Sequence, residues 1–173
     1  MRRALDGLLW VDHMKIVVVA PNARQPTWVD AACEEYRRRL SGFVECTLDV
    51  LALPKGRSSG AILQRRLEEH RRRGRCRMIA MDESGLLLTT AQWAQRLAQY
   101  RLDGDHLLFV LGDAEGLPMT IRREAQETWS LSPLTMAHGL ARVVLLEQLY
   151  RAASLLAGHP YHRGNPGELP AIP

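Results

Sequence analysis

The sequence predicts an α/β fold whose mainly parallel sheet carries helices on both faces. Five short apolar runs, rich in β-branched residues, alternate along the chain with longer helix-like runs. This alternation is typical of parallel sheets, whose strands are buried on both faces and therefore lack polar positions. A length of 173 residues corresponds to one domain, large enough to bury its core without disulfides or a structural metal.

The first half of the chain contains two strands and two helices. The β-branched run KIVVVA predicts a strand, and the charged segment before residue 74 predicts an amphipathic helix. In order, we expect a strand at Lys15–Ala20, a helix capped by Thr27 and ending near Leu40, a strand at Phe43–Leu53 and a helix at Ser59–Arg73. The second of these strands is ended by the turn Pro54-Lys55-Gly56.

The second half continues the same alternation of strands and helices, with shorter strands. A turn at Asp82–Gly85 ends the third strand, and a proline near the first turn starts the fourth helix. The expected elements are a strand at Arg77–Met81, a helix at Thr90–Tyr100 capped by Thr89 or Thr90, a strand at Leu107–Leu111, a helix at Pro118–Gln126, a strand at Thr128–Leu131 and a helix at Leu140–Ala157, ended by Gly158.

The domain is expected to span residues 14–163. Met14 directly precedes the first strand, so residues 1–13 are interpreted as an extension. Asp6 and Asp12 interrupt its apolar stretch, which argues against a signal peptide. Residues 164–173 are rich in proline and glycine and predict a flexible tail. No apolar run reaches 18 residues, so no membrane span is expected.

The charged and sulfur-containing residues give weaker indications. Three scattered cysteines favour a reduced, cytoplasmic protein with neither a disulfide framework nor a zinc site. The net charge is +4, and only two of the 23 basic residues are lysines. This excess of arginine indicates either contacts with phosphates or a compositional bias. The runs Arg37–Arg39 and Arg71–Arg73 are interpreted as solvated helix faces.

Ligands of parallel sheets bind at the carboxyl ends of the strands, and three such ends carry candidate residues. They follow Met81, Gly112 and Leu131. The turn Gly112–Gly116 either lets a ligand approach the backbone or simply joins strand to helix. The loop Ser132–His138 either wraps an adenine or is an ordinary connector with His138 near the start of the last helix.

The last helix and the segment after it combine several reactive groups. Glu147 and Arg151 are four residues apart and share one face, where a solvated pair contributes about 0.3–0.5 kcal/mol. Tyr150 and Ser154 belong to the same flank, with an apolar stripe opposite at Leu145, Leu149, Ala152 and Leu156. The segment Tyr161-His162-Arg163 contains groups that stack on a base, transfer a proton and hold a phosphate.

Several of these segments together resemble the RlmH family of SPOUT-type RNA methyltransferases. The similar segments are FVLGDAEGL, WSLSPLT, His138, RVVLLEQLYRA and HPYHR, in this order along the chain. The resemblance implies a homodimer with a C-terminal trefoil knot that binds S-adenosylmethionine and methylates N3 of a pseudouridine in the 23S rRNA of the ribosome. The implied cofactor-binding residues are Met81, Gly112, Leu131, Ser132, Pro133, Leu134, Thr135 and Met136.

The resemblance also implies roles on the substrate side. Glu147, Arg151 and His162 are the implied catalytic residues, and Arg142, Tyr161, His162 and Arg163 are the implied RNA contacts. Glu147 or His162 would take the N3 proton, Arg151 would stabilise charge on oxygen, and no metal is implied.

The chain departs from the family at three places, and two other functions stay open. Asp113 replaces a usual glycine, Ala137 replaces a usual proline, and residues 164–173 are additional. The alternatives are methylation of a different RNA base, or a non-catalytic ribosome-binding protein. Asp113 favours the second because it places a charge beside the implied cofactor.

Overall fold

A computed structural model describes residues 14–21, 24–53 and 59–159 of the chain. The predictions for residues 1–13, for the turn Pro54-Lys55-Gly56, for Tyr161, His162 and Arg163, and for the tail 164–173 lie outside these residues. The strands are β1 (Lys15–Pro21), β2 (Glu45–Leu51), β3 (Cys76–Leu87), β4 (His106–Val110) and β5 (Glu127–Ser130), and the helices are α1 (Thr27–Leu40), α2 (Gly60–Arg72), α3 (Thr90–Leu102), α4 (Met119–Glu124) and α5 (His138–Leu156).

The five strands form one parallel sheet in the order β2-β1-β4-β3-β5. Alternate residues of each strand face opposite sides, which divides the core into two layers. One layer packs α1, α3 and α5 on side chains such as Val18 and Phe109, and the other packs α2 and α4 on side chains such as Val19 and Val110. The predicted parallel sheet with helices on both faces is therefore confirmed.

The structure corrects two details, one at the start of α1 and one in β3. Thr27 is the first residue of α1 and not its cap; the cap position is occupied by Pro26, whose side chain makes no hydrogen bond to the helix. β3 does not end at Met81 but continues to Leu87 after an irregularity, since both Met81 and Leu86 pair with Trp129. The residues between them leave the ladder and rejoin it. Of the two predicted caps of α3, Thr89 and Thr90, it is Thr89 that caps the helix, and it forms a capping box with Gln92.

Helix α5 is much more deeply buried than its apolar stripe predicted. Tyr150 and Ser154 were expected on a polar flank, but both are buried. The ring of Tyr150 lies 6.3 Å from that of Tyr36 and 5.9 Å from that of Phe43, measured between centroids. The expectation was wrong because α5 packs between α1 and α3, so two of its flanks are covered instead of one.

Candidate functional site

Three chain segments at the carboxyl edge of the sheet enclose a pocket of about 660 Å³. They are the irregular part of β3 and the segments that follow β4 and β5, and the first turns of α5 close the remaining side. Seven of the eight predicted cofactor residues line this pocket; Pro133, the eighth, is not among the lining residues. The lining set is Met81, Gly112, Leu131, Ser132, Leu134, Thr135 and Met136. Residues predicted from three separate segments therefore meet at one place.

The turn after β4 closes on itself. Gly116 donates its amide hydrogen to the carbonyl of Asp113 over 3.0 Å and has a φ of +84°, a conformation that favours glycine. A β-carbon on Gly112 would lie 2.6 Å from the amide nitrogen of Leu117. Gly112 is therefore required by the backbone of its own turn, whatever ligand the pocket holds.

Asp113 has a structural role within this turn. Its Oδ1 accepts the amide hydrogen of Glu115 over 2.9 Å, which is the local bond of an Asx turn. The carboxylate of Asp113, which stands where the family usually has glycine, thus helps to shape the pocket wall.

The irregular part of β3 forms the second wall. Oδ1 of Asp82 accepts from the backbone amide of Ser84 at 3.0 Å and from its hydroxyl at 2.5 Å. Arg122 of α4 donates to the Ser84 hydroxyl over 2.8 Å and lies 3.5 Å from Oδ2 of Asp82. Burial acts to raise the pKa of Asp82, but the Ser84 hydrogen bonds and the charge of Arg122 outweigh it and lower that pKa. The side chain of Asp82 is therefore held in its charged, carboxylate form within this wall.

The loop between β5 and α5 forms the third wall and is held by short polar bonds. The amide of Ser132 donates to the Ser130 hydroxyl over 3.2 Å, and the amide of Leu134 donates to the Ser132 hydroxyl over 3.0 Å. The Thr135 hydroxyl donates to Glu83 over 3.0 Å and ties this wall to the second one. The Leu134 side chain remains 74% exposed, so it is available to an apolar ligand surface.

The pocket lining is predominantly acidic. Among the described residues of the lining, Arg122 carries a guanidinium and four residues carry carboxylates: Asp82, Glu83, Asp113 and Glu115. Together with the apolar side chains of the third wall, this lining suits a ligand that is partly apolar and carries positive charge.

Glu147 and Arg151 form a partly buried pair on α5. Nε of Arg151 donates to Oε1 of Glu147 over 2.9 Å, and the side chains are 35% and 16% exposed for arginine and glutamate respectively. Gln148 donates to Oε2 of Glu147 over 2.7 Å and accepts from the Thr90 hydroxyl over 3.2 Å. The pair is thus fixed against α3, unlike a solvated helix pair.

This pair does not line the pocket of its own chain. The last residue of α5 in the lining is Ala141, six residues before Glu147. Six residues correspond to a rise of about 9 Å along a helix, and Arg151 lies one further turn away. The structure therefore does not bring the predicted catalytic pair and the predicted cofactor residues into one pocket of a single subunit.

Arg142, a predicted RNA contact, lies in the interior. It is 1% exposed, and its guanidinium donates to the carbonyl of Pro21 at the end of β1. Burial lowers the pKa of Arg142, against the opposing charges of Cys33 and Asp30. A side chain in this position is placed to hold β1 against α5 and is shielded from an RNA surface.

Sequence reasoning missed Asp82, Glu83, Arg122 and Gln148. The first two stood within an expected turn, at a strand end of the kind that binds ligands, and this position was the available signal. Arg122 and Gln148 had no signal, since the bonds that join them to other elements, to Ser84 and to Thr90, span 38 and 58 positions.

In the described part of the chain, no helix is both long and apolar enough to cross a membrane. No group of three or more potential metal-binding side chains occurs there either.

Comparison with known proteins connects this geometry to one family. Residues 14–162 match the family model described as a predicted SPOUT methyltransferase. The chain is 40% identical over 157 residues to the ribosomal RNA large subunit methyltransferase H of Nitrosospira multiformis, and 42% identical over 157 residues to that of Thioalkalivibrio sulfidiphilus. Each alignment covers 87% of this chain and 99% of the relative.

A solved structure has the same overall fold at low sequence identity. A probable methylase family protein from Haemophilus influenzae superposes with a TM-score of 0.52 at 10% identity. The match covers 90% of this chain and 72% of that protein.

Proposed function

The chain belongs to the RlmH family of SPOUT methyltransferases, and on that premise we propose that it methylates large-subunit ribosomal RNA with S-adenosylmethionine. The observation that carries this proposal is the pocket enclosed by the three loops. It gathers residues from three separate segments at the edge of the sheet where ligands of such folds bind.

The residues of the pocket fit S-adenosylmethionine. Its volume of about 660 Å³ lies within the range of about 300–1,000 Å³ for small-molecule sites. The excess of carboxylates suits a cofactor that has two positive groups and one negative group, and the exposed Leu134 suits an adenine face. When bound, the cofactor supplies a methyl group on a positively charged sulfur.

The proposed target atom is N3 of a pseudouridine in 23S rRNA. A neutral imide nitrogen is a poor nucleophile, so the N3 proton has to leave. Glu147 or His162 takes this proton, and Arg151 stabilises the negative charge that develops on the neighbouring oxygen. The bond between Glu147 and Arg151 supports this assignment because it holds a proton acceptor and a cation side by side.

We further propose that the active site is shared between two subunits of a homodimer. The distance of Glu147 from the pocket of its own chain supports this arrangement. One subunit then contributes the cofactor, and the other contributes the RNA-contacting groups Tyr161, His162 and Arg163. Arg142 acts from the interior by positioning α5. The C-terminal trefoil knot is part of the same proposal.

The ribosome is the proposed partner, which places the protein in the cytoplasm. Asp113 gives little support to the non-catalytic alternative because its carboxylate closes a turn of the pocket wall.

Filling the pocket tests the cofactor assignment. Ala141 lines the pocket from α5, so we expect Ala141→Leu to weaken S-adenosylmethionine binding at least tenfold by calorimetry. Ala61→Leu places the same side chain on an exposed position of α2 and serves as the matched control. Equal affinity of the folded Ala141→Leu and wild-type proteins would contradict the assignment. Gly112→Val is unsuitable here because its side chain would collide with its own turn.

Subunit mixing tests the shared site. At cofactor concentrations well below its dissociation constant, Ala141→Leu should transfer almost no methyl group, whereas a deletion of residues 161–173 should be inactive because it lacks the proposed RNA contacts. A mixed dimer would contain one site with both defects and one with neither, so activity on ribosomes should partly return. If mixed dimers form and remain inactive, although both variants are folded, the shared site is wrong.

A further inference from the structure

Gln25, in the connection between β1 and α1, contacts the edge of the cofactor pocket from outside. Its Nε2 lies 3.0 Å from Nε2 of His138, although the two residues are 113 positions apart. His138 begins α5 and lines the pocket, whereas Gln25 does not. This contact connects a loop that belongs to none of the three pocket walls with the residue at the pocket rim.

The residue after His138 shows that the contact is built into the fold. A β-carbon on Gly139 would overlap Oε1 of Gln25 and would approach Cγ2 of Val29 to 3.3 Å. The absence of a side chain at Gly139 therefore lets the carboxamide of Gln25 lie directly on the first turn of α5. Its oxygen faces Gly139 and its nitrogen faces His138.

The chemistry of this contact determines the tautomer of the imidazole. An amide nitrogen only donates hydrogen bonds, so Nε2 of His138 accepts. A neutral imidazole that accepts at Nε2 carries its hydrogen on Nδ1. The second ring nitrogen is then a donor. The bond from Arg142 to the carbonyl of Pro21 joins the same two regions one turn further along α5.

We propose that Gln25 is a positioning residue for the cofactor pocket, which holds the ring of His138 in one orientation and one tautomer. The proposal rests on the proposed function, because it assigns the ring a role beside S-adenosylmethionine. Gln25 is not among the residues that line the pocket, so its proposed effect on the cofactor passes through His138.

The variant Gln25→Met keeps the length of the side chain and removes the hydrogen bond. We expect its dissociation constant for S-adenosylmethionine to rise about three- to tenfold, the size expected for one neutral hydrogen bond, with an unchanged midpoint of thermal unfolding. Arg24→Met changes an exposed neighbour and should bind as the wild type does. Nitrogen-15 spectra of the His138 ring should show the Nδ1–H form in the wild type and a mixture in Gln25→Met.

Gly139→Ala supplies a second, independent test. The new methyl group should displace the carboxamide and weaken binding as much as Gln25→Met does, while alanine suits the helix at least as well as glycine. In a Gln25→Ala background the overlap with the carboxamide is removed and only the 3.3 Å approach to Val29 remains, so Gly139→Ala should add little further. Weakening that is additive in the double variant would overturn the proposal.

The possible failures are distinguishable. If the wild type does not bind S-adenosylmethionine, the proposed function fails, and the ring spectra still decide whether Gln25 sets the tautomer. If the wild type binds and Gln25→Met binds equally well, the positioning role alone is overturned. A wild-type ring in the Nε2–H form would also overturn it.

Discussion

Glu127 and Glu147 are two glutamates with the same side-chain exposure, 16%, and each is paired with an arginine of similar exposure. Glu127 accepts hydrogen bonds from Arg96, from the hydroxyl of Tyr100 and from the indole of Trp129, the last over 2.9 Å. Its three donors come from α3 and from its own strand. Glu147 accepts from Arg151 and Gln148, its neighbours on the same helix.

The difference shows that burial and an ion pair do not by themselves mark a functional site. Two of the donors to Glu127, Tyr100 and Trp129, belong to the core, where Trp129 is fully buried, so this carboxylate serves the fold. Two donors to Glu147, Arg151 and Gln148, lie on its own helix, and α5 forms whether or not they are bonded. Glu147 can therefore serve a reaction at little cost in stability.

Of the replacements at these two glutamates, Glu147→Gln should have the largest effect, and this effect should be on catalytic activity. The amide cannot take a proton, so we expect kcat for methyl transfer to ribosomes to fall by a factor of about 10²–10⁴. The free energy of unfolding should change by less than about 1 kcal/mol, because the pair with Arg151 is partly exposed. Radiolabelled methyl transfer and denaturant unfolding give the two values. Full activity of the variant would show that a group other than Glu147 removes the proton.

The same replacement at Glu127 should reverse this pattern. Glutamine retains one acceptor but loses the charge, so we expect the free energy of unfolding to fall by about 1–3 kcal/mol. The kcat of the folded variant should stay close to that of the wild type. Glu68→Gln, at an exposed position of α2, is the control and should change stability by less than about 0.5 kcal/mol. A Glu127→Gln variant that is stable but inactive would contradict the distinction between a structural Glu127 and a functional Glu147.

Alkaline pH gives a third and narrower test of the Glu127 cluster. Burial, followed by the hydrogen bond to Glu127, raises the pKa of Tyr100 to about 12, compared with about 10 in an unfolded chain. The folded state binds the phenol proton more tightly, so this stabilisation is complete below pH 10 and is lost between about pH 10 and 12. Relative to Tyr100→Phe, the wild type should lose about 2 kcal/mol across this window. A constant difference between the two proteins would contradict the role of Tyr100.

Much of the fold followed from the sequence because its signals are local. The β-branched runs and the candidate caps Thr89 and Thr90 are signals within single elements, and these elements formed where they were expected. The extension of β3 did not follow, because Asp82–Gly85 reads locally as a turn and its return to the sheet depends on Trp129. The burial of α5 depends on two helices that its own pattern cannot specify.

The candidate site was predictable to a similar extent. The rule that ligands bind at strand ends located the three segments, at Met81, Gly112 and Leu131, and the resemblance then identified the loop residues that meet in one pocket. The contacts that close the pocket, such as Thr135 with Glu83 and Arg122 with Ser84, join residues 52 and 38 positions apart. Pairings of this kind are set by the three-dimensional arrangement and leave no periodic pattern in the chain.

A crystal structure of the protein with S-adenosylmethionine tests the central assignment most directly. We expect the cofactor between the three loops, with its adenine against the loop that contains Leu134 and its positive groups toward the carboxylates of the lining. Glu147 of the same chain should remain outside contact distance of the cofactor. A cofactor bound elsewhere on the molecule, or bound in contact with Glu147 of its own chain, would contradict the assignment.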